Sequence, residues 1–199
     1  MALDNDLLLG IEIKQFPEVA RAGPVRKLPG MSEEDMKKLT LLPVFAMPKP
    51  LGDNYLLFQL SFGHQYNLIA DLMPPVCQEM FVALRMVYKH HIQPLKSGLT
   101  THHMKMLYYS FLHEKYSEAQ WTREEFNKVF EELLLFVSEH VKDRNIPHFL
   151  IPGLNLANNA MKFNQGGVSL EEVGGHLRSL VNEKRTLAQY LPEEDSGKD

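Results

Sequence analysis

The feature that most constrains this chain is a change of hydrophobic rhythm near Gly63. Before it, apolar residues come in short runs cut by prolines and glycines. After it, they recur every third or fourth residue. A strand buries alternate positions and a helix buries one stripe, so a chain that changes period partway needs both elements. Strands first and helices after predict an α+β architecture. The expectation is a small antiparallel β region followed by a bundle of about five helices.

The β region has three candidate strands. Asp6-Leu-Leu-Leu-Gly-Ile-Glu-Ile-Lys14 is an apolar run with β-branched residues, which predicts a buried strand. Pro17, Gly23, Pro24, Pro29 and Gly30 then predict no regular structure. Ser32, followed by Glu33, Glu34 and Asp35, predicts a short helix whose serine caps a free amide. Leu41 to Pro48, with Pro43 and Pro48 in it, predicts an edge strand, because proline cannot donate to a ladder. Gly52-Asp53-Asn54 predicts a turn, and Tyr55–Phe62 the strand that completes a hairpin.

The helical region has three clear stripes. Met80, Leu84, Val87 and Tyr88 form the first. Met104, Leu107, Tyr108, Phe111 and Leu112 form the second. Phe126, Val129, Phe130, Leu133, Leu134 and Val137 form the third. Thr122 with Glu125, and Ser169 with Glu172, predict capping boxes. The second opens a last helix expected to end near Tyr190. Asn145, Pro147 and Ile151-Pro152-Gly153 predict a loop. The expected segments are 1–63 for the β region, 64–190 for the helical domain and 191–199 for a polar tail.

Composition narrows the function classes. Across 199 residues, 21 basic and 25 acidic side chains leave a net charge of −4, which argues against binding nucleic acid by bulk charge. The single cysteine, Cys77, cannot form an internal disulfide or a cysteine-rich zinc site, so a reducing, intracellular location is expected. No run approaches the ~20 apolar residues of a membrane helix, and no signal peptide is expected at the N-terminus.

Candidate chemistry is sparse. His90-His91 and His102-His103 offer four imidazoles that could hold zinc or nickel if folded together. The simpler reading puts one pair at a helix end and the other at the next helix start. Asp4-Asn5-Asp6 could hold a divalent metal, although a solvated terminus accounts for Asp4. Cys77, at an apolar helix start, reads as a small buried hydrophobe. Met80, Met104 and Met106 read as core filling. Gly174-Gly175, inside a helical pattern, reads as a close-packing site. There is no G-x-S-x-G, no phosphate-cradling G-x-x-x-x-G-K and no Gly-Ser dipeptide.

Five local patterns, in order, go further. Asp6-Leu-Leu-Leu-Gly-Ile-Glu12, Leu42-Pro-Val-Phe-Ala-Met-Pro-Lys49, Phe58-Gln-Leu-Ser-Phe-Gly-His64, Thr100-Thr-His-His-Met-Lys105 and Ile151-Pro-Gly-Leu-Asn-Leu156 run across nearly the whole chain. Together with Trp121, they resemble the Mab-21-like and cyclic GMP-AMP synthase-like nucleotidyltransferase-fold family. The resemblance covers that family's C-terminal portion, a helix-hairpin-helix-like lobe. It implies that Asp6 is the third metal-binding catalytic carboxylate, and that Thr101, His102 and Lys105 face a nucleotide. Family members carry a Gly-Ser loop and two further carboxylates on the N-terminal side. With only Asp6, a two-metal site is incomplete.

Other positions depart from the pattern. His102 stands where a base-stacking tyrosine can occur, and Val82 where the DNA-sensing member carries a lysine. The zinc thumb of that member is missing, so DNA is not an expected partner. The resemblance therefore implies a chain that does not catalyse alone and forms one wall of a nucleotide cleft in a longer parent. Mg2+ and ATP or GTP are expected only if that parent is active, in which case it could make cyclic dinucleotides in immune signalling. The alternative is a non-enzymatic pseudoenzyme-type scaffold that binds a protein partner or itself.

Overall fold

The computed structural model describes residues 10–21, 26–48, 58–116, 122–158, 167–183 and 189–190. Its elements fall into two compact units. The first takes residues up to Val25 together with Met31–Leu72. The second takes Arg26–Gly30 and everything from Met73 onward.

The first unit contains a three-stranded antiparallel sheet in the order β1 (Ile11–Ile13), β2 (Val44–Pro48), β3 (Phe58–Ser61). Ile11 faces Ala46 across one ladder, and Ala46 faces Leu60 across the other. The expected edge strand is thus the central one. Its prolines explain how: Pro43 lies before the strand and Pro48 is its last residue, so Val44–Met47 supply the interior donors. The expected buried strand is instead an edge. Ile11 and Glu12 are exposed and Ile13 is half-buried, and among the described residues β1 pairs along one side only. Asp6 and Leu7–Leu9 lie outside the described residues, as do the Gly52–Asn54 turn and Tyr55–Leu57.

Three helices accompany the sheet. α1 (Glu18–Arg21) is a single turn seated on the Pro17 carbonyl, where prolines and glycines predicted no regular structure. Proline is compatible with the start of a helix, since the first amides have no partner within it. α2 (Glu33–Leu41) begins with the expected cap: the Ser32 hydroxyl accepts from the Asp35 amide, and Asp35 accepts from the Ser32 amide. α3 (Gly63–Leu72) carries Gln65, whose buried Nε2 donates to the Leu42 carbonyl at 3.0 Å. That bond satisfies a carbonyl at the end of α2. Leu39, Val44, Phe62 and Ile69 are buried in this unit.

The second unit is helical. α4 (Pro75–Val87) starts on Pro74 and Pro75, where a missing amide is harmless. α5 (Thr101–Tyr116) is buried almost all round, from His103 through Leu112. The Tyr108 hydroxyl donates to the Cys77 carbonyl at 2.6 Å, and its ring stacks on Phe81. α6 (Phe126–Lys142) follows a 3₁₀ turn opened by the expected Thr122–Glu125 capping box. Its six predicted core residues are all buried.

α7 (Leu170–Asn182) has the expected Ser169–Glu172 box. It ends at Asn182, earlier than expected. The stripe Leu170, Val173, Leu177, Leu180 has no apolar successor in Asn182-Glu183-Lys184-Arg185. Helices α6 and α7 come close because Gly174 has no side chain. A Cβ there would lie 2.7 Å from the Ser138 carbonyl oxygen, and the Ser138 hydroxyl donates to the Gly174 carbonyl at 2.7 Å. The packing expectation for this glycine therefore holds.

Candidate functional site: a basic cleft between two helices

The cleft is built from the outward stripe of α4. Because Met80, Leu84 and Val87 point inward, Val82, Arg85, Met86 and Lys89 share the opposite face. After Val87 the helix widens into a π turn, Tyr88–Ile92, and then a 3₁₀ turn, Gln93–Leu95. Lys96 closes that turn in the left-handed conformation, with φ of 52°. The chain then returns to start α5 beside α4. The Tyr88 hydroxyl holds the return by donating to the Leu99 carbonyl at 3.0 Å.

Gly167 braces the same loop from outside. A Cβ at that position would overlap the Lys96 carbonyl oxygen, and the neighbouring Val168 amide donates to the Leu95 carbonyl at 3.1 Å. Only glycine permits so close an approach.

Thr100 caps α5. Its amide donates to Nδ1 of His103 at 3.0 Å, and its hydroxyl accepts from the His103 amide at 3.4 Å. Threonine and histidine thus play the parts of a reciprocal capping box. With Thr100 in that role, Thr101 is released to line the cleft.

The cleft measures about 480 Å³, with Val82, Arg85, Met86, Lys89, Thr100 and Thr101 among its walls. Among the described residues, its lining holds two cations and no carboxylate. One helical turn beyond Thr101, on the same face, lies Lys105. Burial, with the nearby Arg85 guanidinium, holds its ammonium below the usual lysine range. It is half-buried.

His102 goes elsewhere. Its ring lies 6.0 Å from that of His148, in the loop after α6. His148 is buried. Its Nδ1 accepts from the Leu150 and Ile151 amides at 3.2 and 3.0 Å. Burial, then the His102 and Arg26 charges, push its imidazole down to about 4. Asn155 pins the same loop. Its Oδ1 accepts from the Ile146 and Ala157 amides, and its Nδ2 donates to the Arg144 carbonyl. The asparagine of the Ile151–Leu156 motif therefore satisfies backbone groups of a loop packed near the core.

The two histidine pairs do not meet. His90-His91 sits in the π turn near His176 and Tyr190, whereas His102-His103 opens α5. Among the described residues, no group of three or more His, Cys, Asp or Glu is placed to hold a metal ion. Cys77 is buried, and burial pushes its thiol up to about 11, the state of an inert packing residue. Asp6 and Trp121 lie outside the described residues. Arg85 and Lys89 escaped the sequence reading, although the face opposite the Met80–Val87 stripe would have indicated them.

Among the described residues, no helix is long and apolar enough to cross a membrane. No curated protein matches the chain. Residues 76–166, which span α4, the cleft loop, α5, α6 and the Asn155 loop, match the family model of the Mab-21 protein HhH/H2TH-like domain.

Proposed function

We propose that this domain forms one wall of a nucleotide-binding cleft and does not catalyse by itself. The observation that carries the reading is the cleft lining, where Arg85 and Lys89 stand with Thr101 and, among the described residues, no carboxylate. Lys105 adds a third cation beside Arg85. Phosphate oxygens suit such a site, because charge-assisted bonds to lysine and arginine are strong and threonine can donate a further one. Magnesium prefers carboxylate oxygens, which these lining residues do not offer. The position that the resemblance assigns to metal, Asp6, lies outside the described residues. No catalytic step is therefore derived for these residues.

Calorimetric titration of the chain with ATP or GTP tests this reading. Binding is expected to weaken with salt. Arg85→Ala and Lys105→Ala are each expected to weaken it about tenfold. His102→Ala is expected to change it little, since His102 turns toward His148. Equal affinity in the Arg85→Ala variant would overturn the proposal.

A second reading, a protein-interaction scaffold, draws on Val82 and Met86, which remain exposed on α4 at 53% and 41%. Exposed apolar patches mark docking surfaces more often than chance. Val82→Ser separates the two readings: it removes an exposed apolar side chain without changing the charge of the cleft, so it should weaken self-association or partner binding and alter nucleotide affinity far less than Arg85→Ala does.

A further inference from the structure

The basic cleft has a neighbour. A groove of about 530 Å³ runs along the next face of α4, with Gln78, Glu79, Ala83, Phe126 and Tyr190 among its walls. Val82 and Met86 line both hollows, so this apolar pair is the ridge between them. Nε2 of His91 lies 2.8 Å from the Tyr190 hydroxyl oxygen, and the His90 ring is 6.0 Å from the Tyr190 ring. Those histidines directly follow Lys89 in the π turn. Tyr190 thus stands beside the Lys89 end of the cleft.

Residues 191–199 lie outside the described residues, but their sequence is informative: Leu-Pro-Glu-Glu-Asp-Ser-Gly-Lys-Asp. Glu193, Glu194 and Asp195 form a run of carboxylates, and Lys198 is the one cation after them. A chain covers at most ~3.6 Å per residue, so Glu193 can stand up to about 11 Å from Tyr190 and Asp195 up to about 18 Å. The run is therefore tethered within reach of Lys89 and of Arg85, one turn earlier on the same face. Charge sets the direction. The groove carries Glu79, a like charge, although Arg123 pairs with it. The cleft carries Arg85 and Lys89 and, among the described residues, no carboxylate.

We infer that the Glu193–Asp195 run of this chain's own tail occupies the basic cleft, taking the place that a phosphate would take on Arg85 and Lys89. The inference rests on reading the cleft as an anion site. Carboxylates and phosphates use the same donors: a guanidinium fork can take either through two parallel bonds, and an ammonium takes either as a point charge. Tethering by a few residues gives the run an effective concentration on the order of millimolar. A segment whose own dissociation constant is about a tenth of that concentration holds back a free anion about tenfold. The tail is thus an internal competitor for the site.

The test compares the whole chain with two variants of equal net charge. One neutralises the tail run by Glu193→Gln, Glu194→Gln and Asp195→Asn. The control carries Glu114→Gln, Glu124→Gln and Glu171→Gln, at exposed positions outside the cleft lining. NMR would follow the Arg85 side-chain Nε–H and the Lys89 and Thr101 amides without ligand, and calorimetry would follow ATP. Neutralising the tail run should move those signals and tighten ATP binding about tenfold. The control should leave the signals in place and change ATP affinity less than about threefold. Signals that stay in place on tail neutralisation, or that move as far in the control, overturn the inference. So do differences that fade on dilution, since the tail of a second copy would then be the occupant. So does an ATP affinity that tail neutralisation leaves unchanged. If the signals move while none of the three chains binds ATP, the tail's place in the cleft is upheld and the nucleotide reading falls.

Discussion

The two units bury their apolar residues in different ways. In the helical unit, α5 is enclosed on nearly every side and α6 presents a continuous buried stripe. In the sheet unit, Leu39, Val44, Phe62 and Ile69 are enclosed, while Ile11 and Leu41 are 62% and 82% exposed. Burial of apolar surface is the dominant favourable term in folding. The helical unit is therefore expected to carry most of the stability, and the sheet unit to open more easily. The difference teaches that the helical unit, Arg26–Gly30 with the residues from Met73 onward, can fold as a framework for a site, whereas β1 and the end of α2 leave apolar side chains facing water.

The sharpest way to break that contrast is a core deletion in each unit. Phe130→Ala, at a fully buried site on α6, should cost about 3–5 kcal/mol in denaturant unfolding and abolish the cooperative transition of the helical unit. Leu39→Ala should raise amide exchange in the sheet unit and leave α6 protected. Loss of protection in both would show one cooperative unit, not two.

The next effect depends on pH. The His148 imidazole, held down near 4 in the fold, prefers the neutral form there. Its contribution is fully present above the unfolded value near 6.5. It is lost as pH falls from about 6.5 to about 4, where the unfolded chain gains a proton that the fold refuses. The loss should reach about 3 kcal/mol in the helical unit. His148→Gln should flatten that part of the stability–pH curve, as measured by chemical unfolding at pH 7 and pH 4.5.

The smallest effect compares two matched caps. Ser32 and Ser169 make the same reciprocal bonds, one in each unit. Either change to alanine should cost about 1 kcal/mol. Ser169→Ala should shift the global melting transition, and Ser32→Ala should appear only as faster exchange in α2. Equal global shifts would erase the distinction.

Legibility in the sequence follows the same divide. Helical stripes and caps were readable because both depend on near neighbours: Phe126 to Val137 and the pairs Thr122–Glu125 and Ser169–Glu172 all stand as expected. Strand order was not readable, because it depends on which ladders form. Prolines at positions 43 and 48 pointed to an edge, yet β2 is central, since both stand at the ends of its paired stretch. Of the cleft, Thr101 was visible through the motif that carries it, as was Lys105, which lies near Arg85. Arg85 and Lys89 became visible only when the inward stripe of α4 fixed its outward face. His102 could not be oriented from sequence, because its ring is drawn aside by His148, 46 positions later in the chain.

The brace at Gly167 bears on the order in which the polypeptide is made. The matched domain ends at residue 166, yet the bond from the Val168 amide to the Leu95 carbonyl clasps the turn that leads into Thr101. A nascent chain that has emerged only as far as residue 166 would already expose α4, α5 and α6, but the loop between the first two would lack that clasp. The geometry of the cleft is thus completed late in synthesis, by residues that follow the recognisable domain.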